Sequence, residues 1–386
     1  FIAALYARSY LAGDNKRNRF YLFLLLTMIA NLGVILSHEI FSFIAFFALM
    51  SFSAYPLILH SNSDEAISAA STYIKWVVFG EVALFVGLAG KTYYSQYTEN
   101  EAGVIWVGAF LLIGFGVKAG LATLHVWLPK AHPVAPVPVS ALLSAVMVKV
   151  GLLGWIRFLP LGDQSIMPLA QPMMVLGFLA VFLAAAYGVL QNNAKTLLAY
   201  STVSQLGIIS ASIGFALAFP DSWELLLPAI LFFAMHHAFA KATLFFSVGL
   251  SRELQQKSRL KPFLWLLVLI PAVSLVGLPF TSGAFAKSAL TNATASWPLF
   301  STLLVFGAIG TALLMGRFIQ LMRQPGIQNS SNASPRWGLI LATLLSAFLS
   351  VAYLYITSAF EFKISLSIFS TLSWSPLWPG LLESCY

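Results

Sequence analysis

Cysteine is almost missing from this sequence. Cys385 is the single one in 386 residues, so the chain can build neither a disulfide framework nor a Cys-ligated metal or Fe–S site from its own thiols. Charge is scarce as well. Only 9% of residues are Asp, Glu, Lys or Arg, against 59% apolar and 14% aromatic, and the mean hydropathy is +0.85. A water-soluble globule of this length with so few charges would expose large apolar patches, which excludes soluble enzymes, nucleic-acid binders and disordered scaffolds. Runs of like charge are lacking too. The formal charge of +8 is scattered over loops and needs no nucleic-acid partner. The chain starts at Phe1, and residues 1–19 show neither the charged start nor the cleavage site of a signal peptide, so Phe1 is not expected to be the native N-terminus.

Long apolar runs are what the sequence has in abundance. They cover residues 20–36, 41–59, 69–89, 103–121, 139–158, 168–190, 197–217, 225–250, 263–278, 299–321 and 338–356, each long enough to cross a bilayer or nearly so. The spacing therefore predicts an all-α polytopic membrane protein with about eleven transmembrane helices. A twelfth stretch, 364–382, is cut by Pro376 and Pro379 and carries Trp374 and Trp378, which suits an interfacial segment.

Alternating the loops between two faces puts thirteen basic residues on one side, from Arg8, Lys16, Arg17 and Arg19 through Lys130 and Lys195 to Arg336, against Lys91, Arg157 and Lys363 on the other. By the positive-inside rule the first side is cytoplasmic and the N-terminus is inside. A prokaryotic cytoplasmic membrane is the expected location.

Five basic residues are left over, and all are lysines within apolar runs: Lys75, Lys118, Lys149, Lys241 and Lys287. One carboxylate, Glu81, joins them at depth. A lysine in the bilayer costs about 2.5–3.5 kcal/mol on insertion scales, so a passive scaffold has little reason to carry five. They read as an ion path. Lys149 lies too deep in its run to snorkel, although a lysine capping carbonyls of a broken neighbour is the structural alternative. Lys75 is near enough to the cytoplasmic end to snorkel. Glu81 at depth must be protonated or bonded to a lysine, and Lys118 is the expected partner. His237 precedes Lys241 by four residues and so shares its helix face; a histidine can pass a proton through either ring nitrogen. Of the adjacent pair His236 and His237, only His237 is expected to face that lysine.

Two runs are interrupted beside a buried lysine. Lys118 is followed by Pro129, Pro133, Pro136 and Pro138, and the stretch 279–283 precedes Lys287. Non-helical backbone at membrane depth is tolerated where it is buried in protein or lines a wet cavity. The breaks occupy the fourth positions of two successive five-helix groups, and five is odd, so the second group would be inverted relative to the first. This divides the chain into a first repeat (1–160), a second, inverted repeat (161–323) and a C-terminal helix with an interfacial segment (324–386). Lys118, Lys149, His237 and Lys287 are then expected to form a hydrated line at mid-depth.

The stretches VKAGLATLHVWLPKAHPVAPVPVSALLSAVMVKVG (117–151), NNAKTLLAYSTVSQLG (192–207), HHAFAKATLFFSVG (236–249) and GLPFTSGAFAKSAL (277–290) resemble the antiporter-like proton-pumping subunits of respiratory complex I, Mrp antiporters and membrane-bound hydrogenases. The first stretch looks similar to the large membrane subunit of formate hydrogenlyase-type group 4 [NiFe] hydrogenases. The resemblance implies relay roles for Glu81, Lys118, Lys149, His237, Lys241 and Lys287, and a proton-translocating subunit of a multisubunit oxidoreductase complex. No cofactor is expected in this chain. Fe–S clusters, and a NiFe centre where the complex is a hydrogenase, would belong to partner membrane and peripheral subunits.

The family pattern also implies three earlier helices not seen here, a long lateral C-terminal helix that is not evident, and a Trp-Glu pair on the fifth helix. At that pair this sequence has Phe47 and Ala48. Glu81 is expected to stand in for the missing carboxylate; otherwise the chain is a non-pumping structural subunit. A cation/proton antiporter subunit is the further alternative, though one buried carboxylate among five lysines offers few oxygen ligands to Na⁺ or K⁺.

Overall fold

A computed structural model describes residues 1–97, 101–254, 261–323 and most of 340–348. All regular structure among them is helical. A short helix, α1 (Ile2–Tyr10), is followed by α2 (Arg17–Leu36), α3 (Ile40–Ile58), α4 (Asp64–Tyr97) and α5 (Glu101–Ala119). Next come α6 (Trp127–Val134) and α7 (Val137–Leu142), then a π-helical turn (Leu143–Met147) that runs on into α8 (Val148–Phe158). The second half holds α9 (Met167–Val189), α10 (Ala194–Ala218), α11 (Trp223–Leu254), α12 (Lys261–Val276), α13 (Ser282–Ala293) and α14 (Pro298–Arg323).

Nine helices among the described residues are long and apolar enough to cross a membrane, and Pro262–Val276 is a shorter apolar one. The expected run 263–278 is short because the chain breaks after it and resumes as α13. The expected spans at 338–356 and 364–382, and with them the C-terminal segment 324–386, lie largely or wholly outside the described residues. Exposed apolar side chains such as Leu25, Phe85 and Leu313 cover the outer helix faces, as a lipid-facing surface requires.

At the centre stands α10, buried at every residue from 201 to 218. Asn193 caps its start by accepting from the backbone N–H of Lys195 and Thr196. Thr202 donates to Leu198 O at 2.9 Å, and Ser204 donates to Val181 O at 3.0 Å on α9, while the buried hydroxyl of Ser201 has no protein partner. A Cβ on Gly177 would lie 2.6 Å from Ala211 N, so α9 and α10 meet backbone to backbone.

Contacts between helix ends respect the two faces assigned from the loops. On one side His60 pairs with Asp14 at 3.0 Å, and Lys195 donates to the carbonyls of Pro133 and Ala135. On the other, Arg157 donates to the carbonyls of Val34, Ile35 and Ser37, and Lys91 donates to Phe158 O. Helix α1 was not anticipated. It docks through Tyr6, which is fully buried, stacks on Phe246 and donates to its carbonyl at 3.1 Å.

Candidate functional site

Both breaks exist, but the first is placed differently from the proline pattern. Helix α5 ends at Ala119, one residue after Lys118, and Gly120 and Thr123 take positive φ of 72° and 71°. Pro129 and Pro133 sit inside α6 instead. Gly120 is what ends the helix, because a residue without Cβ enters the left-handed region at little cost. At the second break Gly277 (φ 90°) and Phe280 (φ 65°) turn the chain, and Thr281 caps α13 by accepting from Ala284 N.

Lys118 is 3% exposed and donates to Ser51 Oγ at 2.7 Å. Its ammonium also lies 5.3 Å from the Phe47 ring centroid and 5.9 Å from that of Tyr73, and Tyr73 in turn donates to Ser51 O at 2.8 Å. Ser51 follows Ala48 by three residues and so shares its helix face. Glu81 and Lys118 line one cavity of about 10 Å³, room for about one water. The two side chains interact electrostatically, and no lysine–carboxylate ion pair forms among the described residues. Oxygen Oε1 of Glu81 is buried and lacks a hydrogen-bond partner.

From the first break the path leads to α8. A Cβ on Gly151 would meet Phe115 O at 2.6 Å and Ala119 N at 2.8 Å, so glycine lets α8 touch the end of α5. Two residues earlier, Lys149 donates to Ser144 O at 2.6 Å, a carbonyl of the π turn in its own helix. Single π turns widen a helix and often mark functional positions. Lys149 Nζ also hydrogen-bonds His237 Nδ1 at 2.6 Å. Lys241, fully buried, donates to Leu198 O at 3.1 Å. That carbonyl also accepts from Thr202, whose hydroxyl lies 2.8 Å from Ser144 Oγ, so hydroxyls link the Lys241 and Lys149 neighbourhoods.

Lys287 donates to Val276 O at 2.8 Å, across the second break. Lys75 is exposed. The structure thus groups Glu81 with Lys118, and Lys149 with His237 and Lys241, and it places Lys287 at the second break.

Three polar residues were missed. Ser51 carried no periodic signal. His236 was set aside in favour of its neighbour, yet it is 1% exposed and its Nδ1 lies 2.9 Å from Ser282 Oγ. His132 is fully buried, stacked on Phe245 at 4.7 Å, and neither ring nitrogen has a protein partner. A run of imidazole and hydroxyl groups beside buried lysines can carry protons by successive hydrogen-bond exchange. No group of three or more His, Cys, Asp or Glu among the described residues could hold a metal ion.

The family model for the NADH:quinone oxidoreductase/Mrp antiporter transmembrane region matches residues 37–314. A Staphylococcus aureus (strain MRSA252) protein carrying the name antiporter subunit mnhA2 is 33% identical over 322 residues, spanning 75% of this chain and 40% of the relative. Its namesake in Staphylococcus saprophyticus is 32% identical over 318 residues, spanning 73% and 39%. The chain therefore spans about 40% of the length of these curated relatives. Among solved structures, the Mrp complex from Dietzia sp. DQ12-45-1b superposes with a TM-score of 0.77 at 22% identity, over 93% of this chain and 42% of that one. An archaeal respiratory membrane complex, the membrane-bound sulfane sulfur reductase, superposes with a TM-score of 0.74 at 22% identity, over 91% and 63%. An all-helical membrane bundle with two broken helices, matched by the family model over most of its length, belongs to the NADH:quinone oxidoreductase/Mrp antiporter transmembrane family.

Proposed function

We propose that this chain is the proton-translocating membrane subunit of a multisubunit complex, moving protons through Glu81, Lys118, Lys149, His237, Lys241 and Lys287. The observation that carries the reading is the 2.6 Å contact between Lys149 and His237 inside the bundle, between two broken helices that each hold a lysine. Ser51 and the charge of Glu81 hold an ammonium at Lys118. A partner-driven shift of Glu81 would weaken that hold and release a proton toward Lys149, His237 and Lys287. The groups 1–160 and 161–323 act as inverted halves around the line, and redox centres, where the complex has them, sit in partner subunits.

The face bearing Asp14, His60 and Lys195 is the cytoplasmic one on this reading. A cavity of about 580 Å³ opens there beside Pro133–Pro136 and offers access for protons. Labelling a cysteine placed at Asn18 checks the orientation: reaction from the cytoplasmic side is expected, and reaction from the opposite side alone refutes it.

Lys149→Ala tests the main reading. Proton uptake by everted membrane vesicles containing the assembled complex should fall by about 100-fold, the scale on which a positioned proton-transfer group acts. Unchanged uptake would favour a non-pumping structural subunit. The second reading, a cation/proton antiporter subunit, is favoured by the names of the Staphylococcus relatives. Proton release driven by added Na⁺ or K⁺, absent from the Lys149→Ala vesicles, would establish it.

A further inference from the structure

We propose that His236, paired with Ser282, is the group that carries protons across the second break, between the Lys149–His237 contact and Lys287. The inference rests on the translocation reading and adds a residue and a route to it.

The two histidines are neighbours on α11, and successive residues of a helix point about 100° apart. His237 therefore turns to Lys149, while His236 turns to the break between α12 and α13. Its Nδ1 lies 2.9 Å from Ser282 Oγ, which lies 3.2 Å from Ser274 Oγ on the opposite side of the break. Ser274 Oγ also accepts from Gly283 N at 3.3 Å. All these groups are buried: His236 is 1% exposed, Ser282 3% and Ser274 4%. Both Lys287 and Lys149 lie within electrostatic reach of the His236 ring.

The backbone is shaped to admit the imidazole. A Cβ on Gly283 would lie 3.0 Å from His236 Nε2 and 1.7 Å from Ser274 O, so only glycine lets the start of α13 close over the ring. Helix α13 begins at Ser282, and its N-terminal partial charge repels a lasting positive charge on His236 while leaving the neutral ring in place. A ring that accepts a proton on one nitrogen and gives up the one on the other carries no net charge afterwards. The hydroxyls of Ser282 and Ser274 reorient to pass the proton on, and Lys287, when neutral, receives it.

A structural histidine would only need its hydrogen bond to Ser282. His236→Asn keeps a hydrogen-bonding atom near the place of Nδ1 but cannot take up and release a proton. In everted vesicles, His236→Asn complexes assembled at normal levels should translocate protons about 100-fold more slowly. Ser282→Ala should be several-fold slower, and Ser282→Thr, which restores the hydroxyl, should return to near the wild-type rate. Wild-type translocation by His236→Asn, with Lys149→Ala inactive, overturns the proposal and leaves the translocation reading standing. Normal translocation by Lys149→Ala overturns both. Should His236→Asn fail to assemble, Ser282→Ala decides, and an unchanged rate there overturns the route.

Discussion

The two breaks solve one problem, a lysine inside a membrane, in two ways. At the first, Lys118 has a hydroxyl at 2.7 Å, two aromatic faces and a carboxylate within electrostatic reach. At the second, Lys287 has the carbonyl of Val276, and no carboxylate among the described residues acts on it. A lysine beside an acid can be switched by moving the acid, because the pair's attraction weakens with distance. One held by a carbonyl, as Lys287 is, would on the proposed route exchange protons with neutral groups instead. On the proposed route the first break would act as a trigger and the second as a conduit.

The largest expected effect lies at the second break. Gly283→Ala would drive a methyl against Ser274 O and the His236 ring, and the obstacle is backbone, which cannot swing aside. A loss of about 3 kcal/mol or more is expected from such overpacking, read as a fall in the thermal midpoint of the detergent-solubilised protein. Gly316→Ala on α14 meets nothing within 4 Å and should be neutral or gain up to about 1 kcal/mol from helix propensity. Equal midpoints for the two variants would mean that the second break is loosely packed and not shaped around His236.

Next comes the acid at the first break. Glu81→Gln should slow proton translocation while the complex keeps its other turnover, and adding Ala48→Glu should recover part of the loss, since residue 48 lies one turn from Ser51 on the same face. An expected loss of about tenfold corresponds to roughly 1.4 kcal/mol of coupling. If Glu81→Gln pumps normally, the contrast between trigger and conduit disappears, and Lys118 works through Ser51 alone.

Much of this contrast could be read from residues and spacing. The apolar runs and the lysines beside each break needed nothing beyond hydropathy and the cost of a buried charge. What escaped depended on geometry without periodic trace. Gly120 ends α5 through its left-handed φ, whereas the nearby prolines, the louder signal, sit within or at the start of helices that tolerate them. The π turn before Lys149 shifts the helix register, and a register shift leaves no mark in a hydropathy profile. His236 escapes the sequence reading because only one of two adjacent side chains can face Lys241. The other face of α11 meets the second break, where His236 finds Ser282.

The smallest expected effect is at the mouth of the first half. Asp14 bonds His60 at 3.0 Å and accepts from Lys16 N at 2.7 Å, and these bonds hold its carboxyl below the ordinary value of 3.8. A carboxyl with a depressed folded-state value stabilises the protein at pH above its unfolded value and loses that contribution as pH falls through the folded one. Asp14 is about one-third exposed, at 32%, so solvent screens the pair and the effect is modest. Thermal midpoints of wild type and Asp14→Asn should therefore differ slightly at neutral pH, with the wild type higher, and converge below about pH 3.8 as Asp14 protonates. A difference that persists unchanged into that acid range would mean that Asp14 acts through packing of the segment between α1 and α2. The cavity beside Pro133–Pro136 would then be held open by shape alone.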